Sequence, residues 1–434
     1  MASHGVARGP RTRTDDQKRQ DAERIKTYRE LEDQLRLSDG HGTDAFQLTT
    51  KLLRLNPEYY TIWNVRRRCL ISGSLSRWPS GSPSSEVFSS LSPSRAILLS
   101  SGGSLSTSSA ATPPSRLSTG ETSGESSEGA EVGEEGGASK VTSRAADHAN
   151  DARIITAELQ FTIPLLMEFP KCYWIWSYRL WVLQQAVQRL EAQTARRIWE
   201  DELALDSKML TKDRRNFHAW GYRRQVVEQL ESPALSPAGA GGPPTSLVEA
   251  EFAYTTKMVH MDLSNFSAWH SRSKLIPRLL EERQADDLAR THFLDSELGI
   301  VREALNVGPE DQSLWFYHQF LMSNLIDYIG RPTITPHFSH KERMTYVVRE
   351  LDDIKDLLLD YDDIKWIYEA LLEYTIAVAK MEERPLAENE IIEARAWLAK
   401  LRELDPMRGG RWDDLEAEYI LRRRRPFAED GLDI

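Results

Sequence analysis

The sequence is nearly devoid of cysteine, with only Cys69 and Cys172 among its 434 residues. Two thiols are too few for a disulfide framework or for a metal site built on several cysteines. So little cysteine suits the reducing cytosol, and we expect a cytoplasmic protein. If the chemistry of this protein uses a reactive thiolate or a zinc ion, another chain must supply them.

The sequence also lacks long uninterrupted apolar runs and an excess of basic residues. Its longest apolar stretch, residues 154–169, includes Glu158, Gln160 and Glu168, and it therefore predicts a buried helix rather than a membrane span. We expect no secretory signal at the N-terminus. The net charge of −11 disfavours general binding to nucleic acids. With 40% hydrophobic and 28% charged residues, the chain is typical of soluble, mostly helical proteins with a substantial core.

What the sequence does contain is a repeated aromatic phrase. It recurs about every 45 residues, a period typical of stacked helical pairs, and only the first interval is longer. Each copy follows a short break with Asn, Asp, Pro or Gly, which cap helices or start them. The copies are centred on Trp63, Trp176, Trp220, Trp269 and Trp315. We therefore predict an all-α fold, an alpha-alpha superhelix formed as a right-handed solenoid of helical hairpin repeats, with these tryptophans in its core.

Two further residue types keep a fixed distance from the tryptophan in the first four copies. An aromatic residue lies three positions before it: Tyr60, Tyr173, Phe217 and Phe266. An arginine lies three positions after it: Arg66, Arg179, Arg223 and Arg272. Residues three apart share one face of a helix, so we expect the tryptophan and the aromatic residue to fill the seam between adjacent pairs. We expect each guanidinium to lie near an aromatic ring or to donate to carbonyls of the adjacent pair.

The composition changes to Ser, Gly, Thr, Pro and Glu between residues 72 and 144. Such a stretch has too few aromatic and branched residues to offset its ordering entropy, so we predict a disordered insertion. The predicted domains are residues 1–71, an N-terminal helix and the first repeat; 72–144, the insertion; and 145–434, the remaining hairpin repeats and C-terminal helices. The insertion is open to interpretation as a phosphorylated regulatory loop, an inert insertion or an intron retained in the gene model. The run Arg422–Arg425 is interpreted as a solvated helix end, with a patch for an acidic partner as the alternative.

The repeated phrase, Tyr or Phe followed by Trp and then Arg at intervals of three, resembles the repeat of the protein prenyltransferase alpha subunit family. The resemblance covers nearly everything outside the insertion. Within the family, three segments resemble the type II members, the alpha subunits of Rab geranylgeranyltransferase: residues 213–224, 311–322 and 404–415. It implies a crescent of helical hairpins around a beta subunit that holds zinc, in a heterodimer active only when complete. It also implies transfer of geranylgeranyl from geranylgeranyl diphosphate to C-terminal cysteines of Rab GTPases, which an escort protein presents.

The resemblance further implies that a few side chains lie near the diphosphate of the co-substrate. The Lys and Tyr of the second family repeat match Lys171 and Tyr173, and the Asn and His of the third match Asn216 and His218. Negative charge grows on the departing pyrophosphate, so a cation at Lys171 and hydrogen-bond donors at Tyr173 and His218 would lower the barrier. A solvent-facing lysine and a satisfied interior histidine are the alternatives. No residue is assigned as a metal ligand or as a certain catalytic group.

Two positions depart from the farnesyltransferase members of the family. Trp174 stands where they have a glutamine that helps to read the carboxylate of the substrate, and Phe217 stands where they have a tyrosine. An indole has no acceptor and cannot replace an amide in that role, which disfavours an enzyme that reads CaaX sequences. Two alternatives stay open: the alpha subunit shared by farnesyltransferase and type I geranylgeranyltransferase, and a non-enzymatic helical-repeat scaffold of the tetratricopeptide type, whose period is about 34 residues.

Overall fold

A computed structural model describes residues 14–76, 135–235 and 246–421, with side chains described from residue 144 onward in the second range. Every regular element within these ranges is helical, and they contain no strand. The chain divides into two compact units, residues 1–195 and 196–434. The predicted all-α fold of helical pairs is confirmed. The disorder predicted for residues 77–134 and the arginine run Arg422–Arg425 lie outside the described residues.

The first unit contains an N-terminal helix and two helical pairs. Helix α1 is Asp15–Leu37, and among its residues only Leu35 is buried. The pairs are α2 (Thr43–Leu55) with α3 (Tyr60–Cys69), and α4 (Glu135–Glu168) with α5 (Tyr173–Arg189). A π-helical turn, Leu70–Ser74, continues α3. In α4, Glu158 is buried together with Ile155, Leu159 and Leu166, so the buried helix predicted for the apolar stretch is confirmed.

The second unit contains the remaining pairs, and its first helix, α6, starts at the end of the first unit. The pairs are α6 (Ala192–Lys212) with α7 (Phe217–Leu230), α8 (Val248–Met261) with α9 (Phe266–Glu282), α10 (Asp287–Val307) with α11 (Gln312–Ile326), α12 (His340–Leu357) with α13 (Lys365–Met381), and α14 (Glu388–Leu404) with α15 (Gly409–Leu415). Short turns, Pro233–Leu235, Pro406–Arg408 and Glu416–Leu421, complete the unit. None of the helices described in either unit is long and apolar enough to cross a membrane.

Polar side chains in the breaks start the helices, as the sequence predicts. Asn216, Asn265 and Asp311 each accept a hydrogen bond from a backbone N–H of the first turn that follows. Thr14 and Ser339 form capping boxes, in which side chain and backbone exchange hydrogen bonds at the start of the helix. These contacts satisfy N–H groups that have no partner inside the helix. In these breaks the polar side chain determines where the helix begins, whereas α3 and α5 begin without a side-chain cap.

At the two ends of the predicted insertion, the structure describes residues 72–76 and the start of α4. Leu75 is buried. The backbone N–H of Ser76 donates to Asp151 Oδ1 at 2.9 Å, and its hydroxyl donates to the other oxygen of the same carboxylate. Asp151 is itself fully buried. Ordered packing thus extends past residue 71, and α4 begins before residue 145.

Candidate functional site

The repeated tryptophan fixes the turn inside each helical pair. Its indole Nε1 donates to the backbone carbonyl six residues earlier, at 2.6 to 2.9 Å, in all five copies. Each of these indoles is at most 5% exposed, so the predicted core position is confirmed. In the pair α12–α13, Tyr368 makes the same bond with its hydroxyl, to the carbonyl of Asp362 at 2.8 Å. Tyr368, and not the neighbouring Trp366, therefore occupies the place of the repeated tryptophan.

In three of the four copies, the aromatic residue three positions before the tryptophan does not fill the seam between pairs, and the prediction is wrong for these residues. Tyr60, Phe217 and Phe266 are 50%, 68% and 51% exposed. Each is the first residue of its helix, and side chains of a helix tilt towards its N-terminus. The ring therefore projects beyond the end of its own helix instead of into the layer below. In the second unit, the rings of Phe217 and Phe266 give the starts of the second helices an exposed aromatic edge.

In the first unit, the predicted site residues lie at the start of α5. Lys171 is exposed in the turn before the helix, and Tyr173 is the half-buried first residue of the helix. Between them, Cys172 is buried, and its thiol lies 3.4 Å from the carbonyl oxygen of Pro57. Burial raises the pKa of Cys172 to about 11. That thiol therefore stays protonated and unreactive at neutral pH.

In the second unit, the predicted site residues lie at the start of α7. Asn216 is buried and caps the helix, since its Oδ1 accepts from the backbone N–H groups of His218 at 3.0 Å and Ala219 at 3.4 Å. Asn265 makes the same cap at the start of α9, so a structural role accounts for the asparagine. The His218 ring is half-buried and lies 4.0 Å from the exposed ring of Phe217.

The four predicted residues thus occupy corresponding places in successive helical pairs. Lys171 and Tyr173 belong to the first unit, and Asn216 and His218 belong to the second. The structure brings Lys171 and Tyr173 together at one helix start, and Asn216 and His218 together at the next. Their role near a diphosphate stays a prediction.

The arginine three positions after the tryptophan links consecutive pairs through a carboxylate. In the first unit, two nitrogens of Arg66 donate to the two oxygens of Glu158 on α4, at 2.6 and 2.7 Å, and the third donates to the Thr50 hydroxyl on its own pair at 2.7 Å. Its guanidinium also lies 4.0 Å from the ring of Phe46. Arg179 donates to the carbonyl of Leu159 at 2.6 Å and to the hydroxyl of Thr162. The predicted ring contact is confirmed, but the bonds across pairs go to carboxylate oxygens and not to carbonyls.

The same link recurs in the second unit. Arg223 binds Glu251 at 2.8 and 2.7 Å, and Arg272 binds Glu297 at 2.7 and 2.6 Å. In the next pair His318 takes the place of the arginine, and its Nε2 lies 3.3 Å from Glu350. All of these groups are buried. Burying a guanidinium is tolerated because the carboxylate both neutralises it and accepts two parallel hydrogen bonds.

The sequence reasoning missed these glutamates, although the sequence holds a signal for them. A glutamate lies 18 residues before the tryptophan, or before Tyr368, in the second to sixth pairs: Glu158, Glu202, Glu251, Glu297 and Glu350. Ala45 holds that position in the first pair, which has no preceding arginine to bind. Within the two units, Glu158, Glu251 and Glu297 each receive the arginine of the pair before theirs. Acidic residues at a constant offset inside apolar helices indicate such a link.

No group of three or more His, Cys, Asp or Glu side chains suited to a metal ion occurs in the described part of the chain. Cys69 and Cys172 are both buried as free thiols. The described residues thus offer no cluster for a zinc ion, which the resemblance assigns to a beta subunit and not to this chain.

Comparison with known proteins gives a match to the family model "Protein prenyltransferase alpha subunit repeat" at residues 43–72, 155–186, 199–230 and 248–279. Each matched range covers the second helix of one pair and at least part of the first: α2–α3, α4–α5, α6–α7 and α8–α9.

Curated relatives named geranylgeranyl transferase type-2 subunit alpha are similar to this chain. The protein from Dictyostelium discoideum is 31% identical over 261 residues, which are 60% of this chain and 70% of that protein. The protein from Saccharomyces cerevisiae is 27% identical over 59% of this chain and 71% of its own length. The protein from Rattus norvegicus is 36% identical over 39% of this chain, but this region is only 27% of that longer protein.

A solved structure, Candida albicans protein geranylgeranyltransferase-I complexed with GGPP, aligns with 87% of this chain and 85% of that chain, at 16% identity and a TM-score of 0.46. That similarity is too low to support a conclusion. The repeated helical pairs, the family match and the Dictyostelium relative lead to the same result: the chain belongs to the protein prenyltransferase alpha subunit family, with the alpha subunits of type-2 geranylgeranyl transferases among its relatives.

Proposed function

We propose that this chain is the alpha subunit of a Rab geranylgeranyltransferase. In the proposed reaction, the sulfur of a C-terminal cysteine of a Rab GTPase attacks C1 of geranylgeranyl diphosphate, the C1–O bond breaks, and pyrophosphate leaves. One observation carries the proposal: curated relatives from fungi, Dictyostelium and mammals share the name geranylgeranyl transferase type-2 subunit alpha. An escort protein would present the Rab substrate.

A second subunit completes the proposed enzyme. Zinc, held by this beta subunit, would bind the acceptor thiol and keep it ionised. In the second unit, the exposed aromatic edge continues from Phe266 to Phe316 and Trp366, with ring centroids 6.2 and 5.9 Å apart. Phe266 and Phe316 are 51% and 41% exposed. A row of exposed rings is typical of protein interfaces, and we assign the edge to contact with the beta subunit.

The helix starts at α5 and α7 supply the chemistry that this chain contributes to the proposal. The N-terminus of a helix carries partial positive charge and attracts anions. Lys171 adds a full charge in the exposed turn before α5, and His218 adds a ring nitrogen at the start of α7. Under the proposal, Lys171, Tyr173 and His218 stabilise the charge that develops on pyrophosphate, while Asn216 positions the helix start beneath His218.

Trp174 supports the choice of a Rab-modifying enzyme over one that reads CaaX sequences. Its ring packs between Tyr60, at 5.3 Å, and Tyr173, at 5.0 Å. An aromatic cluster thus fills the position at which the CaaX-reading relatives have an amide. It offers a single N–H donor and no acceptor for a substrate carboxylate.

The proposal is tested by expressing the chain with its beta subunit and assaying transfer of geranylgeranyl to a Rab protein with escort protein, and separately to a CaaX peptide. Activity on Rab, and none from either subunit alone, is the expected result. Preference for the CaaX peptide would identify the chain as the alpha subunit shared by farnesyltransferase and type I geranylgeranyltransferase. Failure to form a heterodimer would favour a non-enzymatic helical-repeat scaffold.

The site residues are tested in the same heterodimer. Lys171→Ala is expected to lower the transfer rate at least about tenfold, because a charge facing the leaving group is lost, with assembly unchanged. Lys51→Ala removes an equally exposed lysine from α2 and serves as the matched control. Equal rates for the two variants would remove Lys171 from the site.

A further inference from the structure

A buried amide of the fourth helical pair, α8–α9, holds the turn that precedes His218 in the third pair, α6–α7. Asn265 is fully buried, and its Nδ2 donates to the backbone carbonyl of Arg214 at 3.0 Å. The same carbonyl accepts from the indole Nε1 of Trp220 at 2.8 Å. A carbonyl oxygen has two lone pairs, and here both are used. The turn at Arg214 is therefore held from its own helix and from the next pair at once.

Short hydrogen bonds connect this turn to His218, which lies four residues after Arg214. The backbone N–H of Asn216 donates to the carbonyl of Asp213 at 3.1 Å. Asn216 Oδ1 in turn accepts from the backbone N–H of His218 at 3.0 Å. A displacement of the turn therefore displaces the start of α7 and the His218 ring. At a reacting centre, a misplacement of about 1 Å can cost a factor of about 100 in rate.

Other contacts between the two turns are weaker than the buried amide. Arg215 donates to both oxygens of Asp262, at 2.9 and 3.1 Å, but its side chain is 59% exposed. Water and salt screen such an ion pair. Arg214 Nη1 lies 3.4 Å from the carbonyl oxygen of Met261, which is long for a hydrogen bond. The bond from Asn265 is thus the main polar contact that fixes the turn of the third pair.

The corresponding position in the fifth pair, α10–α11, has a different residue. Asp311 takes the place of Asn265 and caps α11, but an ionised carboxylate has no donor. The link between the turns of the fourth and fifth pairs runs the other way, because the Ser264 hydroxyl donates to Asp311. The donor amide therefore occurs beside the turn that leads to His218, and an acid replaces it one pair further along.

We propose that Asn265 is a positioning residue of the site. By holding the turn at Arg214, it keeps the His218 ring where that ring donates to the departing pyrophosphate. Asn265 acts through His218 and not by contact with substrate, since its own side chain is fully buried. The inference rests on the function proposed above, and it adds a residue of the fourth pair to those of the second and third.

The hold on the turn is tested by amide hydrogen exchange and mass spectrometry on the full-length chain with its beta subunit. Asn265→Asp keeps the oxygen that caps α9 through the N–H of Ala268, but it places an acceptor against the Arg214 carbonyl. Asn265→Ser is an uncharged second variant that keeps a capping oxygen and is too short to reach that carbonyl as well. In both, exchange in residues 213–219 is expected to be at least about fivefold faster.

The matched control is Ser264→Ala, which removes a hydrogen bond of the same turn that is directed towards the fifth pair. It is expected to leave exchange in residues 213–219 unchanged. Circular dichroism confirms that each variant is folded. Unchanged exchange in both Asn265 variants would overturn the proposal, whatever reaction the chain serves.

The effect on the reaction is tested by single-turnover transfer of geranylgeranyl to a Rab protein with escort protein. Asn265→Asp is expected to lower the rate about three- to tenfold, and His218→Ala at least about tenfold. The double variant is expected to be no slower than His218→Ala alone, because both changes act on the same ring. Ser264→Ala is expected to keep the full rate.

The outcomes separate this inference from the function on which it rests. In a heterodimer that modifies Rab, additive losses in the double variant, or a full rate in Asn265→Asp or in His218→Ala, would overturn the positioning role alone. Absence of transfer by the unchanged heterodimer would overturn the proposed function and this role together, and faster exchange in the Asn265 variants would then show a purely structural contact.

Discussion

Two arginine–glutamate links in the second unit share one geometry. The third link joins the third helical pair to the fourth, and the fourth link joins the fourth pair to the fifth. Arg223 and Arg272 each bind both oxygens of a glutamate on the next pair, Glu251 and Glu297, at 2.6 to 2.8 Å. The Arg223 guanidinium also lies 3.6 Å from the ring of Tyr254 on the next pair, and the Arg272 guanidinium lies 3.8 Å from the ring of Phe252 on its own pair. The arginine and the carboxylate thus form a repeated buried link, and the ring beside it comes from a different pair in each case.

The two links differ in one buried residue. Thr255 lies 17 residues before Arg272, whereas Asp206 holds the same position before Arg223. The Asp206 carboxyl is fully buried, with one oxygen 3.5 Å from Arg223. Burial raises the pKa of Asp206 to about 8 and outweighs the lowering by Arg223, while Glu202 and Glu251 raise this pKa by smaller amounts. One arginine therefore neutralises one carboxylate, and a second carboxylate in the same site keeps its proton.

The largest effect is expected from breaking the fourth link with Arg272→Ala. The change leaves Glu297 buried without its cation, which typically costs about 3–5 kcal/mol. Urea unfolding followed by circular dichroism measures the loss. Arg278→Ala on the same helix is the control, because Arg278 is 44% exposed and its ion pairs with Glu231 and Glu282 lie at the surface, worth at most about 1 kcal/mol. Equal losses would show that the buried link contributes no more than a surface pair.

The next effect is expected from making the third link resemble the fourth with Asp206→Thr. Between about pH 4 and about pH 8 the native carboxyl holds a proton that the unfolded chain has lost, so stability falls as pH rises through this range. Each unit of pKa corresponds to about 1.4 kcal/mol, and we expect the variant to gain about 2–3 kcal/mol at pH 8 and little near pH 4. Urea unfolding across this pH range measures the difference. A gain independent of pH would contradict the protonated state.

A smaller loss is expected at the fifth link, where a histidine replaces the arginine. An ionised carboxylate only accepts hydrogen bonds, so His318 Nε2 donates to Glu350 and its Nδ1 accepts from the Tyr374 hydroxyl at 2.9 Å. Burial alone would raise the pKa of Glu350, but the hydrogen bond from His318 and the charges of Arg302 and Arg349 lower it below its usual value. Because these arginines remain, His318→Gln is expected to cost only about 1–2 kcal/mol. A loss as large as that of Arg272→Ala would show that His318 alone holds Glu350.

The smallest effect is expected from Tyr368→Phe. In the sixth pair, the Tyr368 hydroxyl makes the hydrogen bond that the indole of the repeated tryptophan makes in the other five pairs, and the substitution removes this bond. The ring stays, and the carbonyl of Asp362 lies in an exposed turn, where water can replace the hydroxyl. We expect a loss of about 0.5–1.5 kcal/mol in thermal or urea unfolding. An unchanged stability would show that ring packing alone holds this turn.

Much of the fold follows from the sequence because its signals are local. The tryptophan positions, the polar breaks and the helix starts depend on neighbours within a single pair, and the interval between copies gives the stacking of pairs. These features need no knowledge of which surfaces meet.

The parts that could not be predicted depend on contacts between distant residues. The spacing predicts that Tyr60 and Phe266 share one helix face with the tryptophan. It does not show that each is the first residue of its helix, so that its ring projects into solvent instead of packing between helical pairs. Glu158 reads as an interruption of an apolar run until Arg66, in another pair, is placed beside it. For the candidate site, the sequence gives Lys171 and His218 only through family resemblance, because a lysine in an exposed turn has no local pattern that distinguishes it.

The bond between Ser76 and Asp151 has a consequence for the design of shortened proteins. It anchors the chain on both sides of the long stretch that separates the first two helical pairs, and Asp151 lies on the same helix as Glu158, the partner of Arg66. A truncated gene that joins residue 76 to a residue shortly before Asp151 through a few glycines would keep both anchors. Since closing a loop becomes harder only with the logarithm of its length, versions of this protein with and without that stretch are expected to share the same scaffold, which makes the junction suitable for inserting a tag or a reporter domain.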